Sequence, residues 1–363
     1  MFTISSVKFW KENLDLTRPY TIAYKTVSAV SNIFVEIELE SGLTGLGACN
    51  PSKQVVGKDV EDSYLEMQQE HWQDWLVGKD IRSLNALLQT IHSPNNRQAW
   101  TVAIDIALYD LFAKGLGVPV VDYLGRAHDR LPTSITIGIK GLAETMEEAA
   151  EYVGRGFRYM KVKIGEGLAP DLERLSKLRE HYGNSIHIRV DGNQGYTASE
   201  LVEFWQTAQH LDLELIEQPM KAFEPTEQLP RMQAVPQEIR DKVALDESLR
   251  FEEDAHHITT LEPRPGGIFN IKLMKCRGIY PALQIARLAR YRDIDLMWGC
   301  NDESIVSITA ALHAAFSCPN TKFLDLDGSL DLARDVVEGG FAIENGMMRI
   351  AGGPGLGLKH IEN

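Results

Sequence analysis

The chain lacks any apolar run near the ~18 to 20 residues that a membrane-spanning helix requires, and its opening stretch, MFTISSVKFWKENLD, carries no basic segment leading into an apolar one. No membrane partner is therefore expected, and a cytoplasmic protein is. Cysteine is scarce. Cys49, Cys276, Cys300 and Cys318 stand far apart, without C-x-x-C or C-x-x-H spacing, which removes a zinc knuckle and a disulfide framework and leaves buried free thiols as the expected state. Basic charge is in deficit too: 37 Lys+Arg stand against 51 Asp+Glu, a formal net charge of −14. A nucleic-acid partner would call for a basic stripe, so none is expected, whereas acidic patches are, some of them facing inward. A G-x-G-x-x-G turn after an early strand is also missing, and the late AGGPGLGLK has no G-K-S/T ending. That argues against a doubly wound dinucleotide fold and against a P-loop.

What is present, in 363 residues of 44% hydrophobic content, is enough apolar material for a large core and more than one domain. From about residue 131 onward short strand-like runs recur: SITIGI, YMKVKIG, IHIRVDGN, LELIEQP, KVALDES, FNIKLMK, DLMWGC and FLDLDG. Their starts lie roughly 27 residues apart, room for a strand, a loop and a helix each time. Eight such units predict an α/β fold, a (β/α)8 barrel of the TIM type, over residues 129–330. The earlier chain differs. TISSVKFW, PYTIAYKT, NIFVEIELE and GLTGLGAC read as strands, followed by helices near 60–70 and 97–115, the order of an α+β capping domain over residues 1–128, with LGRAHDRLP as its exit. Residues 331–363 show no further strand–helix unit and are expected to complete the cap by packing back on it.

Catalytic groups of a parallel barrel gather at the C-terminal ends of its strands. Here the second strand ends in Lys161 and Lys163, the third in Asp191 and Asn193, the fourth in Glu217 and the fifth in Asp246. The sixth offers Lys272, the seventh is followed by Asp302, and the eighth carries Asp325 and Asp327. Taken singly, each has an ordinary explanation: K-V-K as the wet face of a strand, D-G as a hairpin turn, D-E-S as a helix cap, Lys272 and Lys275 as the flanks of a solvated turn, D-L-D-G as turn acids. Jointly they are harder to dismiss. Lys161 and Lys163 are two apart and share a face, and three carboxylates ending three successive strands need compensation when turned inward. An all-oxygen set of Asp191, Glu217 and Asp246 suits magnesium, and no His or Cys at these ends suggests zinc. Two lysines flanking a metal-bound carboxylate suit proton transfer at the neighbouring carbon, given positive neighbours that drive a lysine toward neutrality.

At these residues the chain resembles the enolase superfamily over nearly its whole length. KVK, VDGN, EQP, LDES and NIKLMK resemble the muconate lactonizing enzyme subgroup, while no strand-end His of the mandelate racemase kind is present. FLDLDG is similar to the D-x-D motif of dipeptide epimerases such as L-Ala-D/L-Glu epimerase. The resemblance implies one Mg2+ per subunit on Asp191, Glu217 and Asp246, Lys163 and Lys272 as opposed acid and base, Lys161 as the tuning lysine, and a dipeptide substrate. Its α-ammonium would meet Asp325 and Asp327 and its C-terminal residue would invert at Cα. Asn193, Lys25 and Asp302 are the further substrate-binding candidates, Lys25 favouring an acidic side chain and Asp302 a cationic one. Muconate cycloisomerase, o-succinylbenzoate synthase and N-acylamino acid racemase activities are the alternatives, then a binding barrel without turnover. A homo-oligomer stays open.

Overall fold

Residues 2–22, 25–222 and 231–361 are described by the computed structural model of the chain. A three-stranded antiparallel sheet opens the fold: β1 (Ile4–Ile22), β2 (Lys25–Leu39) and β3 (Thr44–Cys49). The runs TISSVKFW and PYTIAYKT are not two separate strands. The first lies in the nineteen-residue β1, while the second is divided between the end of β1 and the start of β2. The ladder slips between Asp15 and Tyr20, around Pro19, which has no N–H to donate. Helices α1 (Val60–Gln69), α2 (Leu84–Ile91) and α3 (Thr101–Leu116) follow. The α3 helix is buried along most of its length, because β3 offers it glycine. A Cβ on Gly47 would lie 1.9 Å from the Ala103 carbonyl oxygen, so only a bare backbone lets helix and strand approach this closely.

After the short β4 (Leu131–Pro132), eight parallel strands follow in sequence order: β5 (Ile135–Ile137), β6 (Tyr159–Lys163), β7 (His187–Asp191), β8 (Leu213–Glu217), β9 (Val243–Leu245), β10 (Ile268–Ile271), β11 (Asp295–Gly299) and β12 (Thr321–Asp325). The longer helices between them are α4 (Leu142–Gly154), α5 (Leu168–Tyr182), α6 (Ala198–Ala208), α7 (Glu252–Thr260), α8 (Ile279–Tyr291) and α9 (Ile305–Ser317). The ring meets at a seam where Thr133 bridges Leu324 in parallel and the Ser134 amide donates to the Leu324 carbonyl over 3.0 Å. The expected (β/α)8 architecture with an N-terminal α+β cap is the observed one. Inside the ring, Leu215, Ala244, Ile268 and Met297 form an apolar cluster with Phe323 against it. Beside it the buried Arg189 guanidinium lies over the Tyr159 and Phe323 rings, 5.1 and 5.2 Å from their centroids. Period-two alternation then brings the next inward positions of β7, β8 and β12 to Asp191, Glu217 and Asp325.

Beyond β12 the chain forms β13 (Val337–Gly339), β14 (Phe341–Glu344), β15 (Met347–Ile350) and β16 (Leu358–His360). The β13 strand pairs with β16, and β15 lies between β14 and β4. The Leu356 amide donates to Asp110 of α3 and the Gly355 amide to the Val118 carbonyl. All four cysteines are free, Cys300 being half-buried and the others buried. No helix among the described residues is long and apolar enough to cross a membrane.

Candidate active site

Register builds the site. Lys163 pairs with Asp191 and Asp191 with Glu217 across the β6–β7–β8 ladders, so a cation and two acids end three adjacent strands at one height. Lys163 Nζ donates to Asp191 Oδ2 over 2.6 Å. Lys161, one inward position deeper and buried, hydrogen-bonds Asp325 and lies 3.4 Å from Glu217 and 3.7 Å from Asp191. On the far side Lys272 donates to Asp246 Oδ2 over 2.8 Å. The β6 and β10 strands are four apart in a ring of eight, which sets Lys163 and Lys272 on opposite walls.

Burial by itself lowers Lys161 and Lys272, but Asp325, Glu217 and Asp191 around the first, and Asp246 and Glu217 around the second, hold both above the usual lysine range. Carboxylates outnumber the ammonium groups around these two side chains. Lys275 is lowered, by burial, with Lys272 adding to the effect. Burial raises Asp246 less than Lys272 and Lys275 lower it, and the net direction is down. Glu217 moves the other way, up to about 8, through burial and the like charges of Asp191 and Asp246. Asp327 is pushed up to about 6 by burial and by Asp325.

The remaining sequence candidates are spread around this centre. Asp327 accepts the Thr136 amide over 2.8 Å, and Asp325 accepts from Ser134 Oγ over 2.7 Å. Asn193 is exposed with φ 40, and it is its backbone amide that meets Asp191, over 3.0 Å. Asp302 is half-buried on the loop after β11. Lys25 opens β2, but its side chain lies outside the described residues.

Asn270 and Gln218 escaped the sequence reading, and Glu303 and Lys275 were given no site role in it. Asn270 donates to Glu217 Oε1 over 2.9 Å; a polar residue inside an otherwise apolar strand, two before Lys272, was its available signal. The Gln218 side chain receives the Asp246 and Ser248 amides and donates to the Met220 carbonyl and Ser248 Oγ, joining the ends of β8 and β9. Glu303 is buried after β11 and pushed up to about 7 by that burial. Lys275, read as the flank of a solvated turn, is 1% exposed. Its spacing from Lys272, one short helical turn later, brings it back under the strand rather than into solvent.

Among the described residues no three His, Cys, Asp or Glu side chains converge closely enough to hold a metal ion between them, because Asp191 and Asp246 each turn an oxygen to a lysine. The donor chemistry nevertheless fits a hard divalent cation. Asp191, Glu217 and Asp246 supply only oxygen, and Glu217 Oε2 is buried without a hydrogen-bond partner.

Comparison with known proteins agrees with this architecture. Residues 4–125 match the family model for the mandelate racemase / muconate lactonizing enzyme N-terminal domain, and residues 144–362 match that for the enolase C-terminal domain-like family. An L-Lys-D/L-Arg epimerase from Desulforapulum autotrophicum is 52% identical over 359 residues, covering 99% of each chain. One of the same name from Methylococcus capsulatus is 46% identical, covering 98% of this chain and 99% of the other. A solved dipeptide epimerase from Methylococcus capsulatus, complexed with Mg and the dipeptide L-Arg-D-Lys, matches with a TM-score of 0.92 and 45% identity, covering 99% of this chain and 100% of that one.

Proposed function

The chain belongs to the mandelate racemase / muconate lactonizing enzyme family of the enolase superfamily, and from that premise we propose that it is a magnesium-dependent dipeptide epimerase that inverts the Cα of the C-terminal residue. The observation that carries this reading is the pair of lysines on opposite walls, Lys163 and Lys272, each beside a carboxylate at the strand ends. A substrate Cα between them loses its proton to the unprotonated lysine on one wall as the C–H electron pair moves into the adjacent carboxylate. The ammonium on the other wall then donates a proton to the opposite face, forming the new C–H bond. Atoms balance, and the two lysines exchange protonation states.

Asp191, Glu217 and Asp246 would hold the magnesium ion. When bound, it supplies positive charge to the substrate carboxylate while the neighbouring carbon carries excess electron density. Lys161, held by Asp325 against the acids of β7 and β8, adds a fixed positive charge beside Lys163. Asp327 and Asp325 line the eighth strand end, suited to a free α-ammonium. That favours a dipeptide over N-acylated or cyclic acids, which have no ammonium to offer.

Specificity follows from the relatives and from one loop. The L-Lys-D/L-Arg epimerase names carry both configurations on the second residue, which supports inversion at the C-terminal position and a cationic dipeptide. Asp302 after β11 is the acid we assign to the cationic side chain, and Lys25 is not given that part. The test is incubation with a dipeptide panel and magnesium in deuterated water, read by mass. Exchange and inversion fastest with C-terminal Arg or Lys is the expected result. Turnover of N-acyl or cyclic acids alone would overturn the dipeptide reading.

A further inference from the structure

We infer that Lys275 is a positioning residue for Lys272, so that the β10 wall, like the β6 wall, works with two lysines rather than one; this rests on the two-lysine reading above. The ladder between β9 and β10 stops at the pair Phe269 and Leu245. Just beyond its last rung, Lys275 Nζ donates to the Asn270 carbonyl over 2.9 Å, to the Asp246 carbonyl over 2.8 Å and to Asp246 Oδ1. All three donors are used. An ammonium therefore takes the place of the next rung, tying the strand that ends in Lys272 to the strand that ends in Asp246.

Two consequences follow for the acid/base group. Asp246 is shared, with Oδ1 on Lys275 and Oδ2 on Lys272, so the orientation of its carboxylate, and with it the location of Lys272 Nζ, depends on Lys275. The Asn270 carbonyl is held by Lys275 while its side chain holds Glu217, so the same contact also aligns the residue two before Lys272. Stability alone does not call for such a group. Burying an ammonium is costly, and a well-packed apolar side chain commonly serves as well. The return lies in geometry at Lys272.

The experiment uses the full chain with Lys275→Met and Lys275→Gln, the pure diastereomers L-Lys-L-Arg and L-Lys-D-Arg, and magnesium in deuterated water. Lys163→Ala and Lys272→Ala establish which diastereomer presents its α-proton to which wall. In the Lys275 variants, α-deuterium incorporation into the diastereomer served by Lys272 is expected to fall roughly 10- to 100-fold more than into the one served by Lys163. The circular dichroism spectrum should change little, and with magnesium saturating, any fall in its affinity, read by calorimetry without substrate, should be smaller than the selective loss on the Lys272 face, because Asp246 is one ligand of three. An equal loss on both faces, or a loss of magnesium binding large enough to account for it, overturns the inference while leaving the two-lysine reading intact. If instead the two Ala controls fail to divide the diastereomers, the two-lysine reading itself falls, and the role of Lys275 with it. Should Lys275→Met not fold, Lys275→Gln carries the comparison; loss of the fold in both makes Lys275 a purely structural staple and overturns the inference.

Discussion

Asp325 ends β12 and Asp327 follows two residues later, yet their surroundings differ. Asp325 is taken by Lys161 and Ser134, whereas Asp327 accepts the Thr136 amide over 2.8 Å and a long contact from Cys300 Sγ over 4.0 Å, a carboxylate with lone pairs to spare for an ammonium. Asp327→Asn should therefore raise KM for dipeptides with a smaller change in kcat, at a cost of about 1.5 to 3 kcal/mol in binding. Asp325→Asn should lower kcat as well, since it releases Lys161. Steady-state kinetics of the two single variants checks the split; identical KM and kcat effects would show that the acids act as one unit. Away from the site, His313 is buried and pushed down to about 3, by burial and then by the nearby Arg126 charge, while its Nδ1 accepts the Val121 amide over 2.9 Å. A depressed folded-state value means the unfolded chain takes the proton first. The stabilisation is therefore fully present above the ordinary value of ~6.5 and is lost as pH falls from there toward 3, roughly 2 to 3 kcal/mol of it by about pH 4.5. His313→Gln, which keeps an acceptor for Val121, should flatten the dependence of urea-unfolding free energy on pH across that window.

At the level of elements, the end of β11 shows how a strand without side-chain chemistry still governs the site. A Cβ on Gly299 would lie 2.7 Å from Asn270 Oδ1 and 3.0 Å from Lys272 Cε. Both neighbours belong to the β10 wall, and Asn270 is itself engaged with Glu217. Gly299→Ala should thus displace Lys272 for the sake of one methyl group, costing about 1 to 3 kcal/mol of stability as an overpacked position. The expected kinetic effect is a fall in kcat of roughly 10-fold or more, as for other misplaced catalytic geometry, with magnesium affinity nearly kept. Wild-type kcat in the alanine variant would mean that Lys272 has room to move without loss.

Over the whole molecule, cap and barrel are joined through buried charge. Asp105 of α3 accepts the Ile279 and Tyr280 amides at the start of α8 and meets His92 Nε2 over 2.8 Å. A cap residue thereby serves as the N-terminal anion of a barrel helix, where unsatisfied amides and the helix dipole favour negative charge. Asp105→Ala leaves buried amides without acceptors, so unfolding free energy should drop by about 1 to 3 kcal/mol or more. Because α8 follows directly on the turn that carries Lys272 and Lys275, activity should fall along with stability. Urea unfolding and turnover of the same preparation check both; a stable variant of normal activity would show that the joint is not needed.

The barrel was legible in the sequence alone, because each unit repeats a strand and helix signal that local patterning expresses, and so were the inward strand-end positions, because a period of two sets what faces inward. Lys161, Lys163, Asp191, Glu217, Asp246 and Lys272 were legible for that reason. Pairing was not. That Lys161 goes to Asp325 across the seam, that Asp246 is divided between Lys272 and Lys275, and that Asn270 and Gln218 brace the acids all depend on distances between strands far apart in the chain. The sign of the lysine shifts was decided there too, since it follows from the number of carboxylates within reach and from burial. The long β1–β2 hairpin likewise read as separate strands, because a local slip in register near Pro19 interrupts the pattern while the ladder continues past it. Lys275 marks the boundary most clearly: in sequence it reads as the flank of a wet turn, and only the end of a ladder between two neighbouring strands gives a buried ammonium somewhere to bind.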